Sequence, residues 1–223
     1  MKLTAIASLI VTGIGATVIA TSAPASAASF SFQNITGEDT VGDAFANNFL
    51  LDVTDGGSNT VLFKFSNQAS GSEVGQSLKQ VAFSVDPTKS GLLSNMALNV
   101  NNIGTVDFEI KNQNLSQSNN ISGWDGTTFG ADTKGGNDNA VQGAESLGIK
   151  FNANFNDVIA ALNARTLMVG IHVGSLPQGA SDSYFNAVPT PIKSVPEPAT
   201  IAALGLFAVG ALKFTTKKHK TIV

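Results

Sequence analysis

The chain has 223 residues, a formal net charge of −3 and no cysteine. The missing cysteines exclude disulfides, thiolate metal sites and a cysteine nucleophile. The charge is uneven: residues 28–194 hold 15 acidic against 8 basic side chains, a net of −7, which speaks against a surface that tracks nucleic-acid phosphates.

Met1-Lys2 is a minimal positive start, residues 3–20 carry no formal charge, and Pro24 breaks the apolar run before Ala25-Ser26-Ala27. Small residues at Ala25 and Ala27 behind a helix break are what a signal peptidase reads, so residues 1–27 are expected to be a signal peptide rather than a retained anchor. Residues 28–188 then form one exported domain, long enough for a single core.

Within it, apolar side chains alternate at period two. Phe49 opens a candidate strand to Val53. Val61, Phe63 and Phe65 share a face opposite Leu62, Lys64 and Ser66, and Asp55-Gly56-Gly57-Ser58-Asn59 supplies the hairpin between the two. Val81, Phe83 and Val85 repeat the pattern. Val106, Phe108 and Ile110 interleave with Asp107, Glu109 and Lys111, the cleanest alternation in the chain. Leu147, Ile149 and Phe151 follow, then Leu167, Val169, Ile171 and Val173, and a closing strand over 184–188. β-Branched and aromatic residues dominate these inward positions, as half-buried strands prefer. One segment differs: Phe155, Val158, Ile159 and Leu162 fall at helical spacing, so a short helix is expected over 156–165, capped by Asn154 or Asn156. Residues 112–120 and 125–143 are too polar or glycine-rich for a core and read as long surface loops. The expectation is an all-β fold, an antiparallel sandwich of seven to nine strands, jelly-roll-like, with one short helix.

Few residues there carry chemistry. His172 is the only histidine of the exported part and reads as a surface residue; with no second histidine or cysteine it cannot build a zinc site of the usual kind. Glu38-Asp39 and Asp107/Glu109 are the paired carboxylates. The first pair reads as loop and the second as a solvated strand face, whereas a glycosidase needs two carboxyls set across a cleft. No Gly-x-Ser-x-Gly elbow occurs, and Gly71-Ser72-Glu73-Val74-Gly75 reads as a plain loop. Asp132, Asn137 and Asp138, on a glycine-rich stretch with Asp125 upstream, are the oxygens a calcium ion would use. Lys134 among them opposes a cation, so no metal and no cofactor are expected. Trp124 is either a sugar-stacking platform or, as expected, an aromatic pinning its loop to the domain.

Beyond the domain, residues 189–194 form a stiff Pro-containing spacer. Val195-Pro196-Glu197-Pro198 stays extended, since each proline fixes φ and lacks an N–H. Residues 199–212 carry no formal charge and form a transmembrane-type helix of about 21 Å, short of the roughly 30 Å hydrocarbon core. Lys213, Lys217, Lys218 and Lys220 then make a basic tail that orients the segment toward the cytoplasm.

Motif, apolar helix and basic tail in that order resemble the PEP-CTERM sorting signal of exported bacterial proteins, over residues 195–223. The resemblance implies export by the general secretory route and transient retention by the C-terminal helix. It implies cutting near Pro196-Glu197-Pro198 by exosortase, a membrane protease-transpeptidase, and release to the cell surface or matrix, often beside exopolysaccharide. Lys213 interrupts the apolar run early, and the tail has no arginine, which departs from the family pattern. The exported part also loosely resembles the Gly- and Asn-rich β domains that precede this signal, through Gly170-Ile171-His172-Val173 and Ser181-Asp182-Ser183-Tyr184. A structural or adhesive, non-catalytic surface protein is the expectation. The alternative is a secreted carbohydrate-binding module or a carbohydrate-active enzyme using loop carboxylates.

Overall fold

A computed structural model describes residues 26–36 and 40–187. Among them ten strands join one antiparallel sheet: β1 (Ala27–Asn34), β2 (Phe49–Gly57), β3 (Thr60–Asn67), β4 (Ser77–Val85), β5 (Ser94–Ala97), β6 (Phe108–Ile110), β7 (Thr127–Thr133), β8 (Ser146–Asn152), β9 (Leu167–Gly174) and β10 (Asp182–Asn186). Their order across the sheet is β5-β8-β3-β2-β1-β10-β9-β4-β7-β6.

β1 is the corner of this sheet. Its residues 27–31 pair with β2, whereas residues 32–34 pair with β10, so one strand belongs to both halves. The sheet curls there and brings aromatic side chains of its two halves together. Phe63 of β3 stands edge-on to Phe83 of β4, with ring centroids 5.4 Å apart. Phe151 of β8 lies 5.2 Å from Phe83, and Phe129 of β7 stacks on it at 5.3 Å. Each such pair contributes about 0.5–1.5 kcal/mol beyond the area it buries.

The alternating stretches behave as their pattern predicts on the inner face: Val61, Phe63, Phe65, Val81, Phe83, Leu147, Ile149, Val169 and Ile171 are all fully buried. Between β2 and β3, Ser58 and Asn59 both adopt positive φ (50° and 56°), the backbone of a primed two-residue hairpin turn. The helix α1 (Phe155–Ala164) links β8 to β9 and buries Val158, Ala161 and Leu162. It starts one residue before the expected 156 because Asn154 is the cap, its Oδ1 accepting from the Asp157 amide at 3.2 Å. It ends on Arg165 at φ 60°.

Four expectations are corrected. The strand count is ten among the described residues, because β1, β5 and β7 add to the seven segments that the alternation marks. β6 is only three residues long, and Ile110, expected inside, lies at the sheet edge and is 58% exposed. Residues 125–143 are not one long loop, since β7 runs through them between β4 and β6. Its glycine answers to a close approach: a Cβ on Gly130 would sit 2.1 Å from the Val81 carbonyl oxygen.

The fourth concerns residues 112–120. They form a largely exposed loop, as expected, but Leu115 and Ser118 within it are buried where it lies over the outer face of the β10-β9-β4 region. Leu115, Ile121 and Trp124 pack there against Ala82, Met168 and Phe185 in a small second core. Gly170 of β9 makes the room, for a Cβ there would meet Leu115 Cδ2 at 2.3 Å and Trp124 Cη2 at 3.0 Å. The outer faces of β4 and β9 are therefore covered as well, with Ser84 and Met168 buried.

Among the described residues no helix is long and apolar enough to cross a membrane. Ala25 of the expected cleavage site, Glu38 and Asp39, the expected spacer, the 195–198 motif, the expected 199–212 helix and the basic tail lie outside the described residues.

Candidate functional site

Three turns meet at one end of the sheet. A 3-10 turn, Asp43–Asn48, links β1 to β2; a second, Gly71–Glu73, leads from β3 into β4; a third, Pro177–Gly179, joins β9 to β10. Local chemistry sets each one. Gly71 takes φ +61°, and the Gln76 amide donates to the Glu73 carbonyl at 2.9 Å, which closes the second turn on itself. Ser175 and Gln178 take φ 58° and 61° to swing the third. Ser77 Oγ donates to Ser175 Oγ at 3.2 Å and joins the second turn's end to the third.

Between these turns lies a cleft of about 370 Å³. Phe45 and Glu73 are half-buried on its walls, Gln76 and Leu176 are buried, and Ser175 and Pro177 stand exposed at its rim. One amide organises its polar part. Asn48 Nδ2 donates to Glu73 Oε2 and to Gln76 Oε1, both at 2.9 Å. A carboxylate only accepts, so Asn48 must present its NH2 to Glu73, and the same NH2 then requires the carbonyl oxygen of Gln76. The Gln76 amide is thereby fixed with its nitrogen turned from Asn48. That Nε2 is buried and has no hydrogen-bond partner. A buried donor left without an acceptor costs about 1–3 kcal/mol.

A second hollow, about 500 Å³, lies between the Thr88–Leu92 stretch and α1. Its floor is largely alanine (Ala160, Ala161, Ala164), with Lys89 and Asp157 beside it.

The outer face carries a cross-strand polar row. By register, Ser183 of β10 lies beside His172 of β9, His172 beside Gln80 of β4, Gln80 beside Asp132 of β7, and Asp132 beside Glu109 of β6. His172 was expected at the surface; it is half-buried, and its Nδ1 lies 2.9 Å from Ser183 Oγ. Burial holds the imidazole below its ordinary pKa of 6.5; the charge of Lys79 pushes the same way and that of Asp132 opposes it. Ser183 is fully buried, out of a substrate's reach, and Gln80 separates the imidazole from the Asp132 carboxylate.

The three calcium candidates are placed as follows. Asp132 sits in β7 rather than in a loop, 3.1 Å from Lys111 Nζ, and accepts from Gln113 Nε2 at 2.6 Å. Its Oδ1 is buried without a hydrogen-bond partner. Asn137 and Asp138 lie on an exposed 3-10 turn (Asn137–Asn139), where Gln142 Nε2 donates to the Asn137 carbonyl and Thr105 Oγ1 to that of Asp138. Among the described residues no three His, Cys, Asp or Glu side chains group as a metal site.

Other acids hold loops. Asp107 Oδ1 accepts from Asn99 Nδ2 at 2.9 Å, and Glu145 accepts from the amides of Thr105 and Gln142. Asp86 caps a turn by accepting from Thr88 through both its amide and its hydroxyl, and those bonds pull its carboxyl below the usual range. Trp124 is buried, and its Nε1 donates to Asn114 Oδ1 at 2.7 Å. Ala27, at the expected signal cleavage point, is the first residue of β1 and pairs with Thr54.

Glu73 stands in the Gly71–Gly75 stretch that reads as a plain loop, and Gln76 follows just beyond it without a reading from the sequence. The faint signal was a Gln directly ahead of an apolar strand, behind a glycine-bounded Ser-Glu; its partner Asn48 lies 28 residues from Gln76.

The chain matches no family model and no curated protein. Among solved structures it is similar to one from work on pH-induced modulation of Streptococcus parasanguinis adhesion by Fap1 fimbriae, with 8% identity over 78% of this chain and 100% of that one and a TM-score of 0.38. At that level the likeness carries no argument about this chain.

Proposed function

We propose that the chain is an exported, transiently membrane-anchored protein of the bacterial surface or extracellular matrix, with a structural or adhesive β domain that does no catalysis. Signal peptidase removes residues 1–27. The 199–212 helix holds the precursor in the inner membrane, the lysines at 213, 217, 218 and 220 keep its tail cytoplasmic, and an exosortase-type protease cuts near Pro196-Glu197-Pro198. The domain then stays at the surface, with exopolysaccharide as a partner and nucleic acid as none.

The observation that carries the non-catalytic reading is the use made of the acids. Asp86, Asp107, Asp132 and Glu145 each fasten a loop or turn, rather than converging on a reacting group. We also read the curled sheet as closing into a two-layer sandwich. One layer is led by β3, β8 and β5, the other by β9, β4 and β7, and their nesting is that of a jelly roll. The Phe63–Phe83 and Phe83–Phe151 contacts between strands of the two halves support this closure.

Protein recovered from the cell surface and mixed with exopolysaccharide of the producing cells tests the reading. It is expected to sediment with the polymer and to release no reducing ends. Reducing ends that rise with protein and time would make the domain an enzyme.

A further inference from the structure

The cleft between the three turns carries an inference of its own, which names a ligand for the adhesive domain proposed above but does not depend on how the chain is exported. We propose that this cleft binds one neutral sugar ring, the terminal or branch unit of a glycan, with Gln76, Glu73 and Phe45 as its recognition residues.

Glu73 holds Asn48, Asn48 holds the Gln76 carbonyl, and the Gln76 NH2 is left buried beside the cleft without an acceptor. Turning the amide over would set two NH2 groups against each other, so this orphan donor belongs to the network. Folded proteins seldom leave such a donor empty; it is screened from solvent, so a ligand's acceptor completes it as the cleft wall shifts to admit the ligand.

The lining then selects the ligand's class. The cleft holds a carboxylate and no lysine, arginine or histidine, so an anion finds repulsion and no counter-charge. A lone cation would leave the Gln76 donor unmet. What satisfies both groups is a ligand that accepts at one atom and donates at the next, and neighbouring hydroxyls do both. Glu73 has acceptor capacity for them, since one hydrogen bond from Asn48 uses only part of its roughly four lone-pair positions. The remaining lining is apolar, with the Phe45 ring, Leu176 and the Pro177 ring. A pyranose has that same mixture, C–H groups on its ring faces and hydroxyls around its rim. The cleft's 370 Å³ lies near the lower end of the roughly 300–1,000 Å³ range of ligand sites, which fits one ring and not a chain of them.

The geometry also separates recognition from folding. Asn48 keeps its bond to Glu73 when Gln76 is replaced, so Gln76→Met removes the orphan donor and leaves the turn's other tie in place.

The test uses the full-length protein in a detergent free of glycosides, with methyl glycosides of glucose, galactose, mannose and N-acetylglucosamine as probes. Saturation-transfer NMR and calorimetry report binding, and thermal melting reports the fold. At least one probe is expected to bind saturably. Gln76→Met and Phe45→Ala should each weaken it about tenfold, the effect of one lost hydrogen bond or ring contact, while Gln76→Met melts no lower than the parent. Two outcomes overturn the proposal: a folded parent protein that binds none of the four probes, in which case the cleft holds water only, or binding that both variants leave unchanged, which puts the sugar elsewhere. Neither outcome touches the export reading, which rests on the ends of the chain.

Discussion

Phe83 is the side chain on which the inner core converges: four rings, Phe63, Phe65, Phe129 and Phe151, lie with centroids between 5.2 and 6.3 Å of its own. Phe83→Ala should destabilise the protein by about 3–5 kcal/mol in urea unfolding, since neighbours held by two sheet halves cannot collapse into the gap. His172 makes a second test at this scale. Its folded pKa lies below 6.5 while the unfolded chain titrates near 6.5, so the unfolded state takes up the proton first as pH falls. Stability is therefore full above 6.5 and declines as pH drops from there through the lower folded value. His172→Gln, which keeps a hydrogen-bonding group for Ser183, should flatten that part of a melting-temperature-against-pH curve. A slope that survives the substitution would place its source elsewhere. Lys111 needs a different expectation from the one its strand pattern gives. Read as a solvated position, it should tolerate Asp; beside Asp132 at 3.1 Å, an Asp would set two carboxylates together.

At the scale of elements, the loop over residues 112–126 is the part whose behaviour is least obvious from its composition. It is rich in Asn, Gln and Ser, yet Leu115, Ile121 and Trp124 fasten it to the sheet, and Lys111, Gln113 and Asn114 tie it to Asp132 and Gln80. Trp124→Ala should free this loop while the inner core stays folded: limited proteolysis is expected to cut first within 112–126, with the β spectrum preserved. Cleavage sites scattered over the whole domain would show instead that the outer core supports the sheet. β1 yields another expectation. The Asp55 amide donates to the Ser26 carbonyl at 2.8 Å and Ala27 pairs with Thr54, so the expected signal cleavage bond is part of a paired strand once the domain has folded. Signal peptidase should thus cut the nascent or unfolded chain and leave refolded precursor intact; equal cutting of both would contradict the pairing. These elements also mark where sequence reasoning stopped. Strands whose apolar residues alternate, such as β3 and β8, and the helix with its Asn154 cap were legible, because one face of each meets the inner core. β7 was not, because its inward residues include Ala131 and its Gly130 is demanded by the Val81 carbonyl of a neighbouring strand. β1 was hidden by its position against the expected signal peptide, although Phe30 and Phe32 alternate as clearly as any pair.

For the whole molecule, the sequence made an acidic β domain legible and raised the expectation of a C-terminal sorting signal. The curl at β1, the second core and the three-turn cleft depend on residues far apart in the chain that no local pattern joins. Asn48 reaches Glu73, and Ser77 reaches Ser175, only because β2, β4 and β9 begin or end at the same edge of the fold. The proposed sorting signal, in contrast, lies in contiguous residues: Pro196-Glu197-Pro198, an uncharged apolar run over 199–212, then lysines. A helix over residues 199–212 would be about 21 Å long, short for a permanent span, and the proposal of transient anchoring rests on that length. The most direct measurement is the intact mass of the protein recovered from the surface of cells that hold the matching protease. The account predicts a chain that begins at Ala28 and ends near Pro196-Glu197-Pro198, without the apolar helix and its lysines. A mature chain that still carries residues beyond Leu212 would contradict it and make the segment a simple membrane anchor.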